Sequence, residues 1–389
     1  MRMNGGIAEQ LLVCVVVVVA GLVCSSAAVR PLGETGQQQQ LVNAVYVFGD
    51  SLVDVGNNDY LPAPAPWAHS PYGFDLPGRP TGRFTNGYNT ADYISYHMGF
   101  DLSPPAYLSM LLHEKVLLVT CNIGANYASG GSGILDSTGN GTLTMATQIR
   151  YFKRAVDRMV CLPSKEAMLA QSFFLLSAGG NDFSAFSGPI SDAPAYIAKM
   201  VSTYIGHIQD LYNLGARMVG ILDVPPIGCT PGQRVLMPTG ECNEVANSLA
   251  RWFNSLLRIE LAGSAAAYMP ELKYSIANNY NILTDMMANP LVTGLREVKT
   301  ACCGAGKLMG EKMCGDPGTA MCTDNHDEYM FWDMLHATEA TVERGTLALF
   351  HGDTNYADPV NFRTLVTQKK KKKKGSSLPV APNKQVADA

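Results

Sequence analysis

The sequence predicts an α/β fold in which helices wrap a central parallel sheet. Short apolar segments rich in Val, Ile, Leu and Phe alternate with longer segments that have helical spacing, a pattern typical of such folds. The chain has 389 residues, of which 47% are hydrophobic and 16% are charged. Disorder requires low hydrophobicity and high net charge, so this composition excludes a disordered chain. The length is sufficient to bury a large core.

Four segments predict strands and four predict helices. The strand segments are too short to form helices and lie at 44–48, 173–177, 217–222 and 272–277. The helical segments have apolar residues three and four positions apart and lie at 90–98, 144–159, 194–214 and 244–268. No Pro- or Ser-rich linker divides the middle of the chain, so these elements predict one domain over residues 42–362.

Residues 1–28 predict a signal peptide. Arg2 precedes an apolar run over residues 11–23, and small residues follow at 25–28, as in a cleavable secretory signal. The apolar run is shorter than the roughly 20 residues that a membrane-spanning helix needs. No later segment is continuously apolar over such a length, so we expect a secreted protein without a transmembrane segment.

Charge is unevenly distributed along the chain. The formal net charge is −4, and Lys369 to Lys374 supply six of the 29 basic residues, so the rest of the chain is distinctly acidic. The lack of a general excess of Lys and Arg argues against a nucleic-acid partner, because binding to phosphates needs such an excess. Residues 363–389 predict a disordered tail. The lysine run in this tail is either a solvated appendage or a weak contact with an anionic surface.

The cysteine content fits an oxidising compartment. Of ten cysteines, Cys14 and Cys24 lie in the signal peptide, which leaves an even number. The adjacent Cys302 and Cys303 suit a single tetrahedral site poorly, and no Cys-x-x-Cys pair is present, so we expect disulfides and no metal site. The pairing is left open among the late cysteines, which are Cys229, Cys242, Cys302, Cys303, Cys314 and Cys322.

One glycosylation sequon is present. It reads Asn140-Gly141-Thr142 and lies in a polar, Gly-rich stretch that predicts a surface loop. We therefore expect glycosylation at Asn140.

A serine follows the first predicted strand directly. The strand runs into Gly49-Asp50-Ser51-Leu52, and ligands in open α/β sheets bind beyond the carboxyl ends of the strands. This predicts that the Ser51 hydroxyl points into a cleft. The same residues also form ordinary turns. A serine hydroxyl is a poor nucleophile unless a base removes its proton, so a catalytic interpretation requires a histidine nearby.

Of the seven histidines, His336 has the most suggestive neighbour. Asp333 precedes it by three residues, and this spacing places both side chains on one side of a helical turn or tight loop. Asp333 can then hold the imidazole in its basic tautomer. A surface pair at this spacing is the alternative, and the spacing alone favours that alternative over catalysis.

Two segments can supply hydrogen-bond donors to an oxyanion. The second predicted strand ends at Gly179-Gly180-Asn181-Asp182, which places the Asn181 amide at the rim of the sheet. Residues 126–133 form a Gly-rich loop whose backbone amides can approach a ligand closely. Each segment is also compatible with an ordinary turn.

Seven blocks of the sequence occur in the order seen in one family. They begin with Phe-Gly-Asp-Ser-Leu and lie at 48–58, 80–87, 126–135, 179–182, 223–231, 301–304 and 331–339. In these blocks the chain resembles the plant-type GDSL (SGNH) esterase/lipase family. The resemblance extends over nearly all of the chain after the signal peptide.

The resemblance implies a flavodoxin-like three-layer α/β/α SGNH-hydrolase fold and a secreted serine esterase or lipase. Ser51 matches the family nucleophile, His336 the general base and Asp333 its orienting partner. The oxyanion donors match the Ser51 backbone, Asn181 and Gly131, with Gly130 as the alternative to Gly131. The implied partner is a small-molecule or lipid ester, and no metal or organic cofactor is implied.

One departure from the family pattern follows the base. The family has His-Pro-Thr, whereas this chain has His336-Ala337-Thr338. Loss of the proline loosens a turn but removes no functional group, so we expect catalysis to survive. Two alternatives to hydrolysis stay open, namely acyl transfer through the same acyl-enzyme and a secreted binding protein without turnover.

Overall fold

The computed structural model describes residues 39–76, 82–111, 124–161, 163–323 and 325–368. The predicted signal peptide, residues 1–28, and the lysine run, Lys369 to Lys374, lie outside the described residues.

The described strands form one large sheet and two small ones. Their bounds are β1 Val45–Gly49, β2 Gly124–Asn126, β3 Phe173–Ser177, β4 Met218–Leu222, β5 Lys273–Ala277, β6 Glu297–Ala301, β7 Cys303–Gly304, β8 Ala320–Met321, β9 Tyr329–Phe331 and β10 Ala357–Asp358. The large sheet has the order β2-β1-β3-β4-β5-β10. Its first five strands are parallel, and β10 pairs with β5 in the antiparallel sense.

Eleven α-helices lie within the described ranges. Their bounds are α1 Thr90–His97, α2 Tyr107–Leu111, α3 Met145–Arg158, α4 Lys165–Ala170, α5 Gly180–Ala185, α6 Ala193–Asn213, α7 Pro231–Arg234, α8 Glu244–Tyr268, α9 Asn279–Ala288, α10 Glu339–His351 and α11 Phe362–Thr367. None of these helices has both the length and the apolar character that crossing a membrane requires.

The central strands are apolar on both faces, because helices cover the sheet on both sides. Along β1, Tyr46 and Phe48 belong to one core and Val45 and Val47 to the other, as the two-residue repeat of a strand requires. Helices α3, α6 and α8 complete the first core. Helices α1, α9, α10 and α11 complete the second. Full burial of one large apolar side chain contributes about 1.5–3 kcal/mol to the free energy of folding, so both helical layers stabilise the sheet.

The strand order 2-1-3-4-5 is that of flavodoxin-like folds, so the expected three-layer α/β/α architecture is confirmed. In this order the connections leave β1 and β3 in opposite directions, which creates a crevice at their carboxyl ends. Gly49, the last residue of β1, pairs with Ser177, the last residue of β3. The segments after these two strands therefore begin side by side.

The folded part of the chain continues beyond residue 362, where the sequence places the end of the domain. Helix α11 starts at that residue, and its Phe362 and Leu365 are buried in the second core. Asn361 caps the helix through a hydrogen bond from the Thr364 amide, 2.8 Å. Residues 363–367 are thus helical, whereas the sequence assigns them to a disordered tail.

Disulfides stabilise the segment that precedes β9. Cys302 pairs with Cys322 and Cys303 with Cys314, and these cysteines pack with the buried Trp332. The Cys303 amide donates to the Trp332 carbonyl at 2.6 Å, so the bridged segment runs beside the chain that leads to Asp333. A third disulfide joins Cys229 to Cys242.

Candidate active site

The turn after β1 depends on a glycine. Gly49 has φ +143°, and a Cβ at this position would lie 2.0 Å from the Ser177 carbonyl oxygen, so a side chain is excluded there. Gln148 on α3 holds both polar groups of Gly49: the Gly49 amide donates to Oε1 at 2.8 Å, and Nε2 donates to the Gly49 carbonyl at 2.9 Å. The chain that carries Ser51 therefore leaves the sheet in one fixed direction.

The structure brings Ser51, His336 and Asp333 together. His336 Nε2 lies 2.8 Å from Ser51 Oγ, and His336 Nδ1 lies 2.7 Å from Asp333 Oδ2. Ser51 is half-buried, while His336 and Asp333 are buried. The two hydrogen bonds place the imidazole between the hydroxyl and the carboxylate, which is the arrangement that activates a serine. The triad forms although Ala337 follows the histidine where the family has proline.

Asp333 is held by four hydrogen bonds. Oδ1 accepts from the amides of Leu335 and His336, both at 2.7 Å. Oδ2 accepts from the Tyr72 hydroxyl at 2.6 Å in addition to its contact with the imidazole. The local turn thus fixes one oxygen and the tyrosine fixes the other. Tyr72 was not anticipated from the sequence, because 261 residues separate it from Asp333.

The triad carboxyl and imidazole shift each other's pKa. Burial acts to raise the pKa of Asp333, but the charge of His336 and hydrogen bonds from His336 and Tyr72 outweigh it, so that this pKa lies below its ordinary value. Burial acts to lower the pKa of His336, but the charge and hydrogen bond of Asp333 outweigh it and raise this pKa. The Asp333 carboxylate is therefore charged over the pH range in which the His336 imidazole accepts a proton.

Two further residues surround the triad. The Phe84 ring lies 5.3 Å from the imidazole of His336 and covers it. Asp50 precedes the nucleophile, and its Oδ1 accepts from the Leu52 amide at 3.1 Å and from Ser177 Oγ at 3.3 Å. Burial raises the pKa of Asp50 to about 7, and its charge also acts to raise the pKa of His336.

Asn181 is positioned as a donor at the same edge of the sheet. It lies in the first turn of α5, and its Nδ2 donates to the Ser132 carbonyl at 2.9 Å. A side-chain amide has two N–H groups, so this hydrogen bond orients the amide and leaves one donor. Ser51, Asn181 and His336 all line one cleft of about 340 Å³.

The glycine donor is the weakest of the predicted site positions. The Gly130 amide donates to Asp54 Oδ2 at 2.9 Å, so it is already engaged. Gly131 has φ +85° in the adjacent turn. Among the described residues that line the cleft, neither Gly130 nor Gly131 is present. A donor role for Gly131 stays a prediction, and the engaged amide of Gly130 argues against the alternative.

Comparison with known proteins shows the family. Residues 45–344 match the GDSL-like lipase/acylhydrolase family. The chain belongs to this family. It is 32% identical over 378 residues to GDSL esterase/lipase 6 of Arabidopsis thaliana, covering 94% of this chain and 99% of the relative. It is 37% identical over 337 residues to GDSL esterase/lipase LTL1 of the same plant, covering 82% and 90%.

A third relative of this GDSL-family chain comes from another plant. The anther-specific proline-rich protein APG of Brassica napus is 33% identical over 320 residues, which covers 79% of this chain and 71% of the relative. The family match begins at β1 and ends within α10, so it includes Ser51, Asn181, Asp333 and His336.

The first GDSL block does more than present the serine, because its two asparagines fasten it to the loop after β2. Asn57 Nδ2 donates to the carbonyls of Asn126 and Ala128, both at 2.8 Å. Asn58 Nδ2 donates to the Gly130 carbonyl, also at 2.8 Å. The nucleophile turn and the Gly-rich loop are therefore one hydrogen-bonded unit. From the sequence alone these asparagines are equally compatible with a capped loop.

The cleft of this GDSL-family chain has apolar walls beside its polar, reactive groups. Its walls include Phe183 and Phe186 after β3, Ile190 before α6, and Val245 and Leu249 on α8. Ile190 is 61% exposed and Val245 is 60% exposed, so the rim is apolar too. These walls suit contact with an apolar part of a substrate.

Two groups among the described residues bring potential metal-ligating atoms within 4.8 Å of one another. One contains Cys302, Cys322 and His326, and the other contains Cys229, Cys242 and Glu244. Each includes a disulfide-bonded pair, and an oxidised sulfur is not the thiolate that binds a metal. We assign no metal to either group.

Proposed function

We propose that the protein is a secreted serine esterase that hydrolyses carboxylic esters through an acyl-enzyme on Ser51. One observation carries this proposal: a continuous hydrogen-bond chain from Ser51 Oγ through the imidazole of His336 to Asp333, with heavy-atom distances of 2.8 Å and 2.7 Å, at the wall of a cleft. Membership of the GDSL-like lipase/acylhydrolase family supports the same chemistry.

In the first half-reaction, neutral His336 removes the proton from Ser51 Oγ as this oxygen attacks the ester carbonyl. The side-chain amide of Asn181 and the Ser51 amide donate to the oxyanion, and the Gly131 amide is the third donor that the family resemblance predicts. Each donor contributes about 3 kcal/mol to the stability of the transition state. His336 then gives the proton to the leaving oxygen, the bond between this oxygen and the acyl carbon breaks, and the alcohol departs.

In the second half-reaction, water takes the place of the alcohol. His336 removes a proton from water as it attacks the acyl carbon, and returns the proton to Ser51 Oγ when the acid leaves. Asp333 stays charged throughout and stabilises the imidazolium. No step requires a metal ion or organic cofactor.

Secretion is part of the proposal. Residues 1–28 have the features of a signal peptide, and disulfides such as Cys302–Cys322 persist in oxidising compartments. Asn140 is exposed, as an acceptor for a glycan must be. Contact of Lys369 to Lys374 with an anionic surface stays a prediction.

The test is hydrolysis of p-nitrophenyl esters with short to long acyl chains by the chain produced without residues 1–28. We expect turnover by the unmodified chain and a loss of kcat of about 10⁴-fold or more in Ser51→Ala and His336→Ala. Asn181→Ala should lose about 10²–10³-fold, as expected for one oxyanion donor. Ser191→Ala, which alters an exposed serine outside the cleft, is the matched control and should retain full activity. Undiminished turnover by Ser51→Ala would overturn the proposal.

A further inference from the structure

A second cavity adjoins the catalytic cleft. This side pocket has a volume of about 70 Å³ and lies between β9, α9 and α10, with walls that include Leu283, Met287, Phe331, Ala337 and Leu349. Apolar side chains and threonines dominate the lining, and none of the described residues that form it is charged. The side pocket therefore suits a small apolar group.

The side pocket shares walls with the cleft next to the reacting atoms. Leu52 and Leu335 line both cavities, together with Pro225 and Thr230. Leu52 follows the nucleophile directly and Leu335 precedes the base. Leu335 is 41% exposed, so its side chain is not locked into the core. The two leucines thus lie where the side pocket meets the cleft, next to the reacting centre.

The reaction geometry decides which part of an ester lies nearer the side pocket. The leaving oxygen must come within hydrogen-bond distance of His336 Nε2 to receive its proton. Both chain neighbours of this histidine, Leu335 and Ala337, line the side pocket. The oxyanion must lie near Asn181, which lines only the cleft. The group on the leaving oxygen therefore starts at the entrance to the side pocket.

We propose that the side pocket binds the alkyl part of the leaving alcohol while the acyl chain occupies the cleft. A cavity of about 150 Å³ binds benzene, so 70 Å³ has room for about three carbons. The cleft is about 340 Å³, and Ile190 and Val245 continue its apolar wall outward. The substrate class is therefore esters that join an extended apolar acid to a small apolar alcohol, from methyl to propyl. This inference rests on the proposed esterase function.

The side pocket also suits a small alcohol that attacks the acyl-enzyme, which is the reverse of the first half-reaction. By microscopic reversibility, an alcohol that fits the side pocket can attack the acyl-enzyme from the position that the leaving alcohol vacated. His336 removes the proton of the alcohol as its oxygen bonds to the acyl carbon, and then gives this proton to Ser51 Oγ as the bond between Ser51 Oγ and the acyl carbon breaks. Propanol should therefore compete with water for the acyl-enzyme better than hexanol at equal concentration.

The test compares two ester series. In one, a decanoyl group is joined to methyl, propyl, butyl and hexyl alcohols. In the other, methyl esters carry acyl chains of increasing length. For the unmodified chain, kcat/KM should fall at least 10-fold from the propyl to the hexyl ester, as expected when methylenes exceed a pocket. Leu335→Ala should raise the hexyl-to-propyl ratio about 10-fold. Ala337→Val should lower the propyl-to-methyl ratio about 10-fold.

Leu347→Ala is the matched control for Leu335→Ala. Leu347 is 46% exposed, close to the 41% of Leu335, and lines neither cavity. It should leave both series unchanged. If Leu335→Ala or Ala337→Val shifted the dependence on acyl length and not the dependence on the alcohol, the inference would be overturned. It would also be overturned if both variants hydrolysed the esters and left both dependences unchanged. Absence of turnover with every ester would overturn the proposed function itself.

Discussion

Tyr72 constrains the triad from outside it. Its hydroxyl donates to the same carboxylate oxygen of Asp333 that contacts His336, with distances of 2.6 Å and 2.7 Å. The two donors compete for the charge on this oxygen, so the tyrosine limits how strongly the carboxylate attracts the proton of the imidazole. It is a positioning residue, since it acts on the reaction through Asp333.

The substitution Tyr72→Phe tests this role. We expect kcat/KM to fall about 10–100-fold, because a hydrogen bond to a charged group contributes about 1.5–3 kcal/mol. Without the competing donor, Asp333 attracts the His336 proton more strongly, so the pKa of His336 should rise. The acid limb of the plot of kcat/KM against pH should therefore move to higher pH. Tyr268→Phe, at a tyrosine that is 67% exposed, is the control. An acid limb that does not move would assign Tyr72 a structural role only.

The pH dependence of kcat/KM reports the charge state of His336. The base must be neutral, and Asp333 raises its pKa above the ordinary value of 6.5. Activity should therefore be half-maximal on the acid side at a pH above 6.5. Asp50 adds to this shift, so Asp50→Asn should move the acid limb to lower pH, opposite to Tyr72→Phe. Asp136→Asn, at an exposed site, should leave it in place. A flat profile from acid to neutral pH would contradict His336 as the base.

Local sequence predicts the residues proposed as catalytic but not the residues that support them. Ser51 follows a strand directly, and Asp333 and His336 lie three residues apart, so short-range spacing and the family motif suffice for them. Tyr72 and Gln148 act across 261 and 99 residues respectively, and neither has a local pattern that indicates its partner. Such contacts depend on the packed fold.

At the scale of elements, Asn57 joins three of them. Its Nδ2 donates to the carbonyl of Asn126, the last residue of β2, and to that of Ala128 in the loop that follows, and its Oδ1 accepts from the Leu108 amide of α2 at 3.0 Å. Asn57 is buried, so water cannot reach its partners, and these two carbonyls and one amide depend on the Asn57 side chain for their hydrogen bonds. Together with Asn58 and Asp54, which bind the carbonyl and the amide of Gly130, Asn57 sets the register between the Ser51 turn and the Gly-rich loop.

Asn57→Ala should destabilise the protein and impair the oxyanion site together. Two carbonyls and one amide lose their partners, at a cost of about 1–3 kcal/mol each, so the free energy of unfolding should fall by at least 2 kcal/mol. The Gly-rich loop also loses its anchor, so kcat/KM should fall. Urea unfolding and ester hydrolysis measure the two effects. Asn281→Ala, at an exposed asparagine, is the control. Stability equal to that of the unmodified chain would contradict the role.

Strands and helices with strong patterns are predicted closely, and short edge strands are not. The predicted helix over 244–268 has the bounds of α8, and the predicted strand over 173–177 has those of β3. In contrast, β2 consists of Gly124–Asn126 and β10 of two residues, and both lie at the edges of the sheet. Neither contains a β-branched residue, because edge pairing relies on backbone hydrogen bonds more than on side chains.

At the scale of the whole molecule, disulfides secure the route from β6 to the base. Cys302 and Cys303 follow β6, and their amides donate to the carbonyls of Phe331 and Trp332 at 2.9 Å and 2.6 Å. The disulfide to Cys322 closes a loop with a sequence separation of 20 residues. Constraining such a loop in the unfolded chain stabilises the fold by about 3 kcal/mol. The disulfide thus supports the chain that leads to Asp333.

Removing this disulfide with Cys302→Ala and Cys322→Ala should lower the free energy of unfolding by about 3 kcal/mol. The chain that leads to Asp333 loses its support, so kcat/KM should fall as well. Guanidinium unfolding and hydrolysis of one ester, both in the absence of reductant, measure the change. An unfolding midpoint equal to that of the unmodified chain would contradict a stabilising role.

The central claim concerns the convergence of three distant segments on one serine oxygen. Ser51 comes from the end of β1, Asn181 from the start of α5, and His336 from the loop after β9, and the parallel sheet and its bridged loop bring them to one edge. This convergence makes Ser51 Oγ the oxygen that we expect to react with an electrophile.

Covalent labelling with a p-nitrophenyl alkylphosphonate tests this claim most directly, with intact mass and peptide mapping as the readout. We expect one phosphonyl group per chain, located on Ser51, with no labelling of Ser51→Ala and much slower labelling of His336→Ala. A folded protein that does not react, or a label on another residue, would contradict the account.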